Sequence, residues 1–351
     1  MVTEIIKIDN NITKYSAEIK KAASSIVRGG LVVFPTETVY GLGADATNED
    51  AVKNIYIAKG RPSDNPLIVH IAKAHDAERY AYTNETYYRL ANKFMPGPLT
   101  VVLDAKECVP SVTRGGLQTV AVRCPENAIA IALISEAGVG IAAPSANLSG
   151  TPSPTSAEHV INDMNGRVDV IIDGGRCDFG LESTIVKIEA DGSLVLLRPG
   201  KITVDDLLTV VNEVKLADSV TDKLKDGAVA LSPGMKYKHY APRASLILVD
   251  AEMNDFVNHV KENFTGGVGV LSYTEFIDLF SEFIDSNMIF DFGSIEDELT
   301  QANRLFDILR ETDKVDISVI YAPLPKAKGI GLALYNRMIR AAAHKIVRLR
   351  R

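Results

Sequence analysis

The sequence predicts an α/β fold in two domains. Short apolar segments typical of strands alternate with segments whose apolar residues recur at helical spacing, over residues 1–214 and again over residues 244–351. Between them, residues 215–243 carry little periodicity and include a Pro- and Gly-containing stretch at 231–242, which is typical of a linker. A chain of 351 residues is long for one domain and suits two.

Both domains contain helices and strands. In the first, periodicity predicts helices at residues 15–28, 48–59, 86–94, 128–136, 156–164 and 204–214. Buried strands are predicted at residues 31–34, 67–71, 99–103, 120–123, 140–143, 168–172, 185–188 and 194–197. In the second domain, strands at residues 246–249, 268–271, 288–290 and 315–320 alternate with helices, which predicts a small parallel sheet.

Composition and charge narrow the class of protein. Hydrophobic residues make up 46% and charged residues 24%, as in a globular protein, and a net charge of −7 disfavours a general nucleic-acid coat. No run approaches the roughly 18 apolar residues of a membrane helix. Residues 1–11 carry Glu4, Lys7 and Asp9, unlike a secretory signal. The 3 cysteines are scattered, without CxxC spacing. We therefore expect a cytoplasmic protein without membrane contact.

Familiar nucleotide and hydrolase motifs do not account for the sequence. The pattern GxGxxA at residues 41–46 lies well beyond the preceding predicted strand, whereas a dinucleotide-binding turn follows its strand directly. The sequence contains no GxxxxGK[ST], HExxH or GxSxG. A bound nucleotide must therefore be held by separate side chains and turn amides.

One loop, AKGRPSDNPL at residues 58–67, is unusually stiff for a surface segment. Lys59 and Arg61 lie two residues apart, and Gly60 and Pro62 fix the backbone direction so that both cations can face one target. Lys59 could instead complement a helix dipole, with Arg61 in solvent. The flanking Gly and Pro favour an anion with several oxygens, such as a triphosphate.

Other polar or cationic positions follow predicted strands. Arg123 ends the strand TVAVR, where a guanidinium can bind a carboxylate through two hydrogen bonds. Ser145 and Asn147 lie among small residues that permit close approach of a ligand, and Arg198 ends another strand. Loops at strand ends form the usual binding rim of α/β folds, so the set indicates a polyanion pocket.

Two more segments are interpreted as walls of this pocket. Residues 35–42 form a polar turn, in which Glu37 is either exposed on a capped turn or part of a hydroxyl-lined wall. Residues 182–184 enter a predicted strand and offer a second wall. His70 lies inside an apolar strand, where a hydrogen-bonded core histidine is the usual role.

Six motifs occur in order along the chain: PTETVYGLGADA (35–46), KGRPSDNPL (59–67), TVAVR (119–123), APSANLSG (143–150), ESTIV (182–186) and LRPG (197–200). Together they closely resemble the YrdC/Sua5 family of threonylcarbamoyl-AMP synthases. SPGMKYKHYAP (232–242) and GIGLALYNRMIRAA (329–342) resemble the two-domain Sua5 branch of that family. The resemblance covers essentially the whole chain.

The resemblance implies a YrdC-like twisted mixed-sheet domain at residues 1–214, the linker at 215–243, and a smaller Rossmann-like parallel α/β domain at 244–351. One local departure occurs after Arg123, where the family often has Pro-x-His-Pro and this chain has Pro125-Glu126-Asn127-Ala128. This departure affects only the expected turn, because the arginine itself is present.

The family resemblance also implies a reaction. L-Threonine, bicarbonate and ATP would give threonylcarbamoyl-AMP and pyrophosphate, with Mg²⁺ carried on the ATP phosphates and no metal site in the protein. The product would serve t⁶A formation at adenosine 37 of tRNAs that read ANN codons. The implied partners are the downstream tRNA threonylcarbamoyl-transfer machinery and a weak tRNA contact.

Site roles follow from the resemblance residue by residue. Lys59 and Arg61 would be the catalytic cations. The nucleotide would contact Lys59, Ser63, Thr119, Ser145, Asn147, Ser153, Arg198 and Tyr237. Threonine would be surrounded by Thr36, His70, Arg123, Ala143 and Ser183. We further expect Tyr237, His239 and Tyr240 of the linker to fold over the loaded pocket as a lid that limits water access.

The sequence leaves two alternative functions open. One is an RNA-binding or ribosome-assembly module, because residues 324–351 carry several Lys and Arg and no acid; a solvated terminal helix and tail would explain the same charges. The other is a carbamoyl-adenylate-forming enzyme, as in hydrogenase-maturation proteins with a similar domain. Those proteins carry Cys-rich zinc fingers, which the scattered cysteines of this chain cannot provide.

Overall fold

The computed structural model describes residues 2–9, 12–61, 65–222 and 240–349. It divides into two compact units: Met1–Ser149 with Ser153–Lys236, and Gly150–Pro152 with Tyr237–Arg351. The predicted linker falls largely on residues outside the described ranges, so its bounds stay a prediction. No helix among the described residues is long and apolar enough to cross a membrane.

A mixed sheet forms the centre of the first unit. Its strands are β1 (Glu4–Lys7), β2 (Val32–Phe34), β3 (Gly41–Asp45), β4 (Ile68–His70), β5 (Leu99–Asp104), β6 (Thr119–Arg123), β7 (Ile141–Ala143), β8 (Val170–Asp173), β9 (Thr184–Ile188), β10 (Leu194–Arg198) and β11 (Val214–Leu216). Among the described residues they form one 11-stranded sheet in the order β1-β8-β2-β3-β7-β4-β6-β5-β9-β10-β11. Parallel pairs such as β4–β6 and antiparallel pairs such as β4–β7 occur side by side.

Amphipathic helices cover this sheet. They are α1 (Ser16–Val27), α2 (Glu49–Lys59), α3 (Glu85–Phe94), α4 (Ala128–Ala137), α5 (Ala157–Met164) and α6 (Val204–Leu208). The apolar stripe of α1, including Ile19 and Ile26, packs in one buried cluster with Leu133 of α4 and with Phe34 of β2. Periodic apolar residues thus bury one face of each helix against the sheet or a neighbour.

The second unit contains a parallel sheet. Its strands are β12 (Ser245–Asp250), β13 (Val268–Ser272), β14 (Ile289–Asp291), β15 (Val319–Pro323) and β16 (Ile346–Arg348), and its helices are α7 (Met253–Glu262), α8 (Ile277–Ser281), α9 (Glu298–Glu311) and α10 (Gly331–Ala341). Within the described part, the order is β14-β13-β15-β12-β16 and every pair is parallel. The predicted fold class, a mixed-sheet domain plus a smaller parallel α/β domain, is confirmed.

Some element predictions were wrong, for identifiable physical reasons. The helix expected at residues 204–214 ends with α6 at Leu208, and the chain returns to the sheet as β11. Residues 41–45 form β3 although two of them are glycines. At Gly43, a Cβ would lie 2.6 Å from Ile141 Cγ2 and 2.8 Å from Phe34 Cε1, so glycine permits close packing here.

The basic C-terminal segment is partly buried, which corrects the interpretation of a solvated terminal helix. Arg337 of α10 is 0% exposed and Arg340 is 9% exposed. The Arg337 guanidinium lies 5.9 Å from the Tyr240 ring centroid and donates a hydrogen bond to Asn336 Oδ1 at 3.0 Å. These two cations are therefore part of the interior of the second unit and do not belong to a surface for polyanions.

Tyr240, one of the three predicted lid residues, is also buried, and the lid itself stays a prediction. It is 4% exposed, and its ring stacks on Phe306 of α9 with centroids 5.1 Å apart. The aromatic pair and the Arg337 guanidinium together offset a backbone φ of 63°, a conformation that non-glycine residues rarely adopt. The other two predicted lid residues, Tyr237 and His239, lie outside the described residues.

We expect the Tyr240→Ala variant to lose about 3 kcal/mol of unfolding free energy, since truncating a buried aromatic ring leaves a cavity. Leu299→Ala serves as the control, because Leu299 lies in the same unit and is 51% exposed. Urea unfolding, monitored by circular dichroism, gives the unfolding free energy of both variants. Equal stability of the two would show that Tyr240 does not anchor this unit.

Candidate active site

Three neighbouring strands define two ends of the candidate site. β4 and β6 are parallel, with His70 opposite Arg123. β7 runs antiparallel to β4, with Ala143 opposite Ile68. His70 and Arg123 therefore lie at one end of these strands, and Ala143, with the segment that follows it, lies at the other. The first is the arginine end and the second is the lysine end.

The lysine end is organised by Lys59, the last residue of α2. Lys59 is 3% exposed, and its Nζ donates hydrogen bonds to the carbonyl oxygens of Ser145 and Asn147, each at 2.6 Å. Ser145 Oγ in turn donates to Asn147 Oδ1 at 2.5 Å. The structure thus brings three of the predicted nucleotide contacts together and shows that Lys59 pins the loop after β7.

Gly60 determines how the chain leaves α2 towards Arg61. It adopts a left-handed C-cap conformation with φ 63°, and a Cβ there would meet nothing within 4 Å, so conformation alone favours glycine. Arg61 is half-buried. Ser63, the next predicted contact, lies outside the described residues.

Thr119 begins β6 and therefore lies at the lysine end. The parallel register pairs Ala121 with Ile68, so Thr119 falls beside the residues that precede β4. The segment before β6 packs against the same residues, since a Cβ on Gly115 would lie 2.6 Å from the nitrogen of Pro66. Thr119 therefore lies beside the end of the loop that begins after Lys59 and contains Arg61.

The arginine end contains a buried ion pair. Arg123 is 3% exposed and Glu37 is 4% exposed, and Arg123 Nη2 lies 2.7 Å from Glu37 Oε2. The contact is an ion pair without hydrogen-bond alignment, and both carboxylate oxygens of Glu37 lack a hydrogen-bond donor among the described residues. Arg123 Nε makes a long contact of 3.4 Å with Gly97 O.

The turn before β3 holds Glu37 in place. Thr36 Oγ1 donates to the carbonyl oxygen of Val39 at 2.6 Å and accepts from the backbone N–H groups of Thr38 and Val39, both at 3.2 Å. The hydroxyl of Thr36, a predicted threonine contact, is therefore engaged in shaping the turn. Phe179 N donates to Glu37 O at 2.9 Å and holds the same turn from a second segment.

His70 is a neutral histidine at the arginine end. Burial lowers its pKa to about 3, and the positive charges of Arg123 and Arg198 act in the same direction. Its Nδ1 lies 3.2 Å from the Ile68 carbonyl oxygen, and the edge of its ring meets Phe34 at a centroid distance of 5.8 Å. His70 can therefore be both a buried core histidine and a threonine contact.

We expect His70 to remain uncharged from pH 5 to pH 8, with no inflection in the NMR shift of its ring protons. Because the unfolded chain binds a proton near pH 6.5 and the folded one only near pH 3, His70 contributes stability above pH 6.5 that is lost as pH falls towards 3. Comparison with His70→Gln assigns the resonance. An inflection between pH 5 and 8 that disappears in this variant would refute the prediction.

Ser183 and Arg198 contact each other at the arginine end. Arg198 Nε donates to Ser183 O at 3.0 Å, and Arg198 Nη2 donates to Ser183 Oγ at 3.2 Å. Ser183 Oγ lies 2.8 Å from Thr100 Oγ1. The structure therefore groups Arg198, assigned to the nucleotide by resemblance, with a residue assigned to threonine.

Ser153, another predicted nucleotide contact, is fully buried. Its Oγ donates to Glu182 Oε1 at 2.5 Å, and Glu182 directly precedes Ser183. Tyr237, the last predicted nucleotide contact, lies outside the described residues. After Arg123, Asn127 caps α4 by accepting from the N–H groups of Ile129 and Ala130 at 3.0 Å, so the departure from Pro-x-His-Pro serves a helix start.

Sequence reasoning left the place of one residue of this site open and missed another. Glu37 was left open between an exposed turn residue and part of a pocket wall, and the structure shows it buried. Thr100 was not singled out, since only the pairing of β5 with β6 and β9 brings it to Ser183.

Comparisons with known proteins match both units. A family model described as "Telomere recombination", for Sua5, YciO and YrdC proteins, matches residues 24–200. A second, described as "Threonylcarbamoyl-AMP synthase, C-terminal domain", matches residues 202–343. The matches define an α/β protein of the Sua5–YciO–YrdC class with an added C-terminal domain.

Full-length relatives narrow the class further. The chain is 42% identical to a threonylcarbamoyl-AMP synthase of Pyrococcus abyssi, covering 99% of this chain and 100% of that protein. It is also 42% identical to one of Bacillus subtilis, covering 98% of each. A crystal structure of P. abyssi Sua5 complexed with L-threonine matches with a TM-score of 0.89, covering 99% of this chain and 100% of that one. The chain belongs to the Sua5 family of threonylcarbamoyl-AMP synthases.

Proposed function

We propose that this chain forms threonylcarbamoyl-AMP and pyrophosphate from L-threonine, bicarbonate and ATP. The observation that carries the proposal is the pair of buried polar clusters at the two ends of β4, β6 and β7. The lysine end offers cations and hydroxyl groups for phosphates, and the arginine end offers opposite charges for an amino acid.

The site suits a reaction without an enzyme-bound intermediate. The amine of threonine and bicarbonate give a carbamate, whose oxygen attacks the α-phosphate of ATP while pyrophosphate leaves. This step requires orientation of the two substrates and neutralisation of charge on the phosphates. Lys59 and Arg61 supply positive charge at the lysine end, and Arg123 binds the threonine carboxylate at the arginine end.

Magnesium enters this proposal as a companion of ATP. Among the described residues, no group of three or more His, Cys, Asp or Glu side chains is placed to hold a metal ion. The hydroxyl, amide and cationic groups at the lysine end fit phosphate oxygens that already carry Mg²⁺, which would neutralise part of their charge.

The product is proposed to pass to the machinery that transfers threonylcarbamoyl groups to tRNA. A weak tRNA contact belongs to the same proposal, but the buried Arg337 and Arg340 cannot contribute to it. The RNA-binding alternative loses the same two cations.

Incorporation of radiolabelled bicarbonate tests the proposed function. Incubation with ATP, Mg²⁺ and L-threonine is expected to give a labelled adenylate whose mass is that of threonylcarbamoyl-AMP. Omitting ATP or threonine is expected to abolish the label. A labelled adenylate that forms without threonine would instead support carbamoyl-adenylate synthesis.

A further inference from the structure

We propose that Glu37 binds the α-ammonium group of the amino-acid substrate and accepts the proton that this group must lose before the carbamate forms. This inference rests on the proposed function and adds a catalytic residue to it. None of the roles implied by resemblance includes Glu37.

The Glu37 carboxylate has buried acceptor positions that no described residue fills. Both of its oxygens are buried, and neither has a hydrogen-bond donor among the described residues. Its one described charge partner is the Arg123 guanidinium, 2.7 Å away and not aligned for a hydrogen bond. Burying a carboxylate is unfavourable unless hydrogen bonds satisfy its lone pairs. An ammonium group would supply three donors at this position.

The pair formed by Glu37 and Arg123 is complementary to a zwitterionic amino acid. A free amino acid carries a carboxylate and an ammonium group on adjacent atoms, and the protein presents a guanidinium and a carboxylate 2.7 Å apart. The substrate carboxylate can therefore face Arg123 while its ammonium group faces Glu37. The turn that Thr36 and Phe179 fix keeps the Glu37 backbone in position for this contact.

The chemistry of carbamate formation needs such a group. An ammonium nitrogen has no free electron pair, so one proton passes first from the ammonium group to a Glu37 carboxylate oxygen. The resulting amine attacks the carbon of bicarbonate; an N–C bond forms, a C–O bond breaks, and the departing hydroxide takes a second proton from nitrogen to leave as water. Glu37 then releases its proton to solvent.

His70 is a poor candidate for the same proton. Burial and the positive charges of the nearby arginines lower its pKa to about 3, because they oppose formation of an imidazolium. The hydroxyls of Thr36, Thr100 and Ser183 do not accept a proton from an ammonium group at neutral pH.

Burial raises the pKa of the nearby Cys124 and Cys177 thiols, so they stay protonated. The buried Glu182, which directly precedes Ser183, accepts a hydrogen bond from Ser153 Oγ. Glu37 differs from these groups in two ways among the described residues. Its carboxylate faces the Arg123 guanidinium, and neither of its oxygens accepts a hydrogen bond.

The test compares Glu37→Gln and Glu37→Asp with the wild type, using Glu49→Gln as an exposed control on α2. Glu37→Gln is expected to lower kcat/KM for threonine by about 10²–10⁴-fold at pH 7, the range of general-base catalysis. Its activity is expected to rise about tenfold per pH unit in the alkaline range, because free amine then forms in solution. Glu37→Asp, which keeps the charge, is expected to retain part of the wild-type activity and pH profile.

Equilibrium binding separates recognition of the ammonium group from a structural effect. Glu37→Gln is expected to weaken L-threonine binding by roughly tenfold or more, about 1.4 kcal/mol, and to leave binding of 3-hydroxybutyrate, which lacks the amine, unchanged. The proposal would be overturned if Glu37→Gln weakened the binding of both ligands equally. It would also be overturned if the pH profile of Glu37→Gln ran parallel to that of the wild type. Failure of the wild type to make the adduct would overturn the proposed function as well, so the two failures are distinguishable.

Discussion

The Lys59→Met variant is expected to lower kcat/KM for threonylcarbamoyl-AMP formation by roughly 30- to 1,000-fold, which corresponds to about 2–4 kcal/mol of activation free energy. Lys59 Nζ donates hydrogen bonds to the carbonyl oxygens of Ser145 and Asn147, each at 2.6 Å, and lies 3.4 Å from Asn147 Oδ1. The variant therefore loses both a cation for the phosphates and the anchor of the loop after β7.

Lys53→Met is the matched control, because Lys53 lies on the same helix and its side chain is 50% exposed. Pyrophosphate release under saturating threonine and bicarbonate, with ATP varied, measures the effect. Lys59→Met with an unchanged kcat/KM for ATP would contradict the assignment of the phosphates to the lysine end.

The Arg123→Met variant is expected to lose about 3–5 kcal/mol of unfolding free energy, because it leaves the Glu37 carboxylate buried without its counter-charge. It is also expected to lose threonine-dependent activity, since the guanidinium proposed to bind the substrate carboxylate is removed. The Glu37→Met, Arg123→Met double variant removes both charges and should regain most of the stability. It should remain inactive.

This double-mutant cycle separates the structural and the functional role of the ion pair. Urea unfolding gives the stability of the four proteins, and pyrophosphate release gives their activity. A double variant as unstable as Arg123→Met would show that the two charges do not compensate each other. A double variant with wild-type activity would remove the arginine end from the proposed threonine site.

Local sequence pattern predicted the parts of the site that lie at strand ends. Arg123 and Arg198 each follow several apolar residues, and the small residues around Ser145 marked an open loop, so their placement on strand ends followed from pattern alone. Gly60 was correctly predicted to fix the direction of the chain, and its left-handed conformation is the physical reason.

Contacts between distant segments could not be predicted in the same way. The partner of Arg123 depends on how the turn after β2 meets the end of β6, which no local pattern encodes. The burial of Arg337 depends on the Tyr240 ring supplied by a segment far away in the sequence. The shortened helix α6 ends because its chain returns to pair with β10, a tertiary interaction that overrides helical periodicity.

Pyrophosphate release from ATP shows whether this chain makes threonylcarbamoyl-AMP. Four reactions are compared: the complete mixture, one without L-threonine, one without bicarbonate, and one with 3-hydroxybutyrate in place of threonine. We expect release in the complete mixture alone, because the carbamate that attacks ATP requires both an amine and bicarbonate. Equal release without threonine or without bicarbonate would contradict the claim that this chain makes threonylcarbamoyl-AMP.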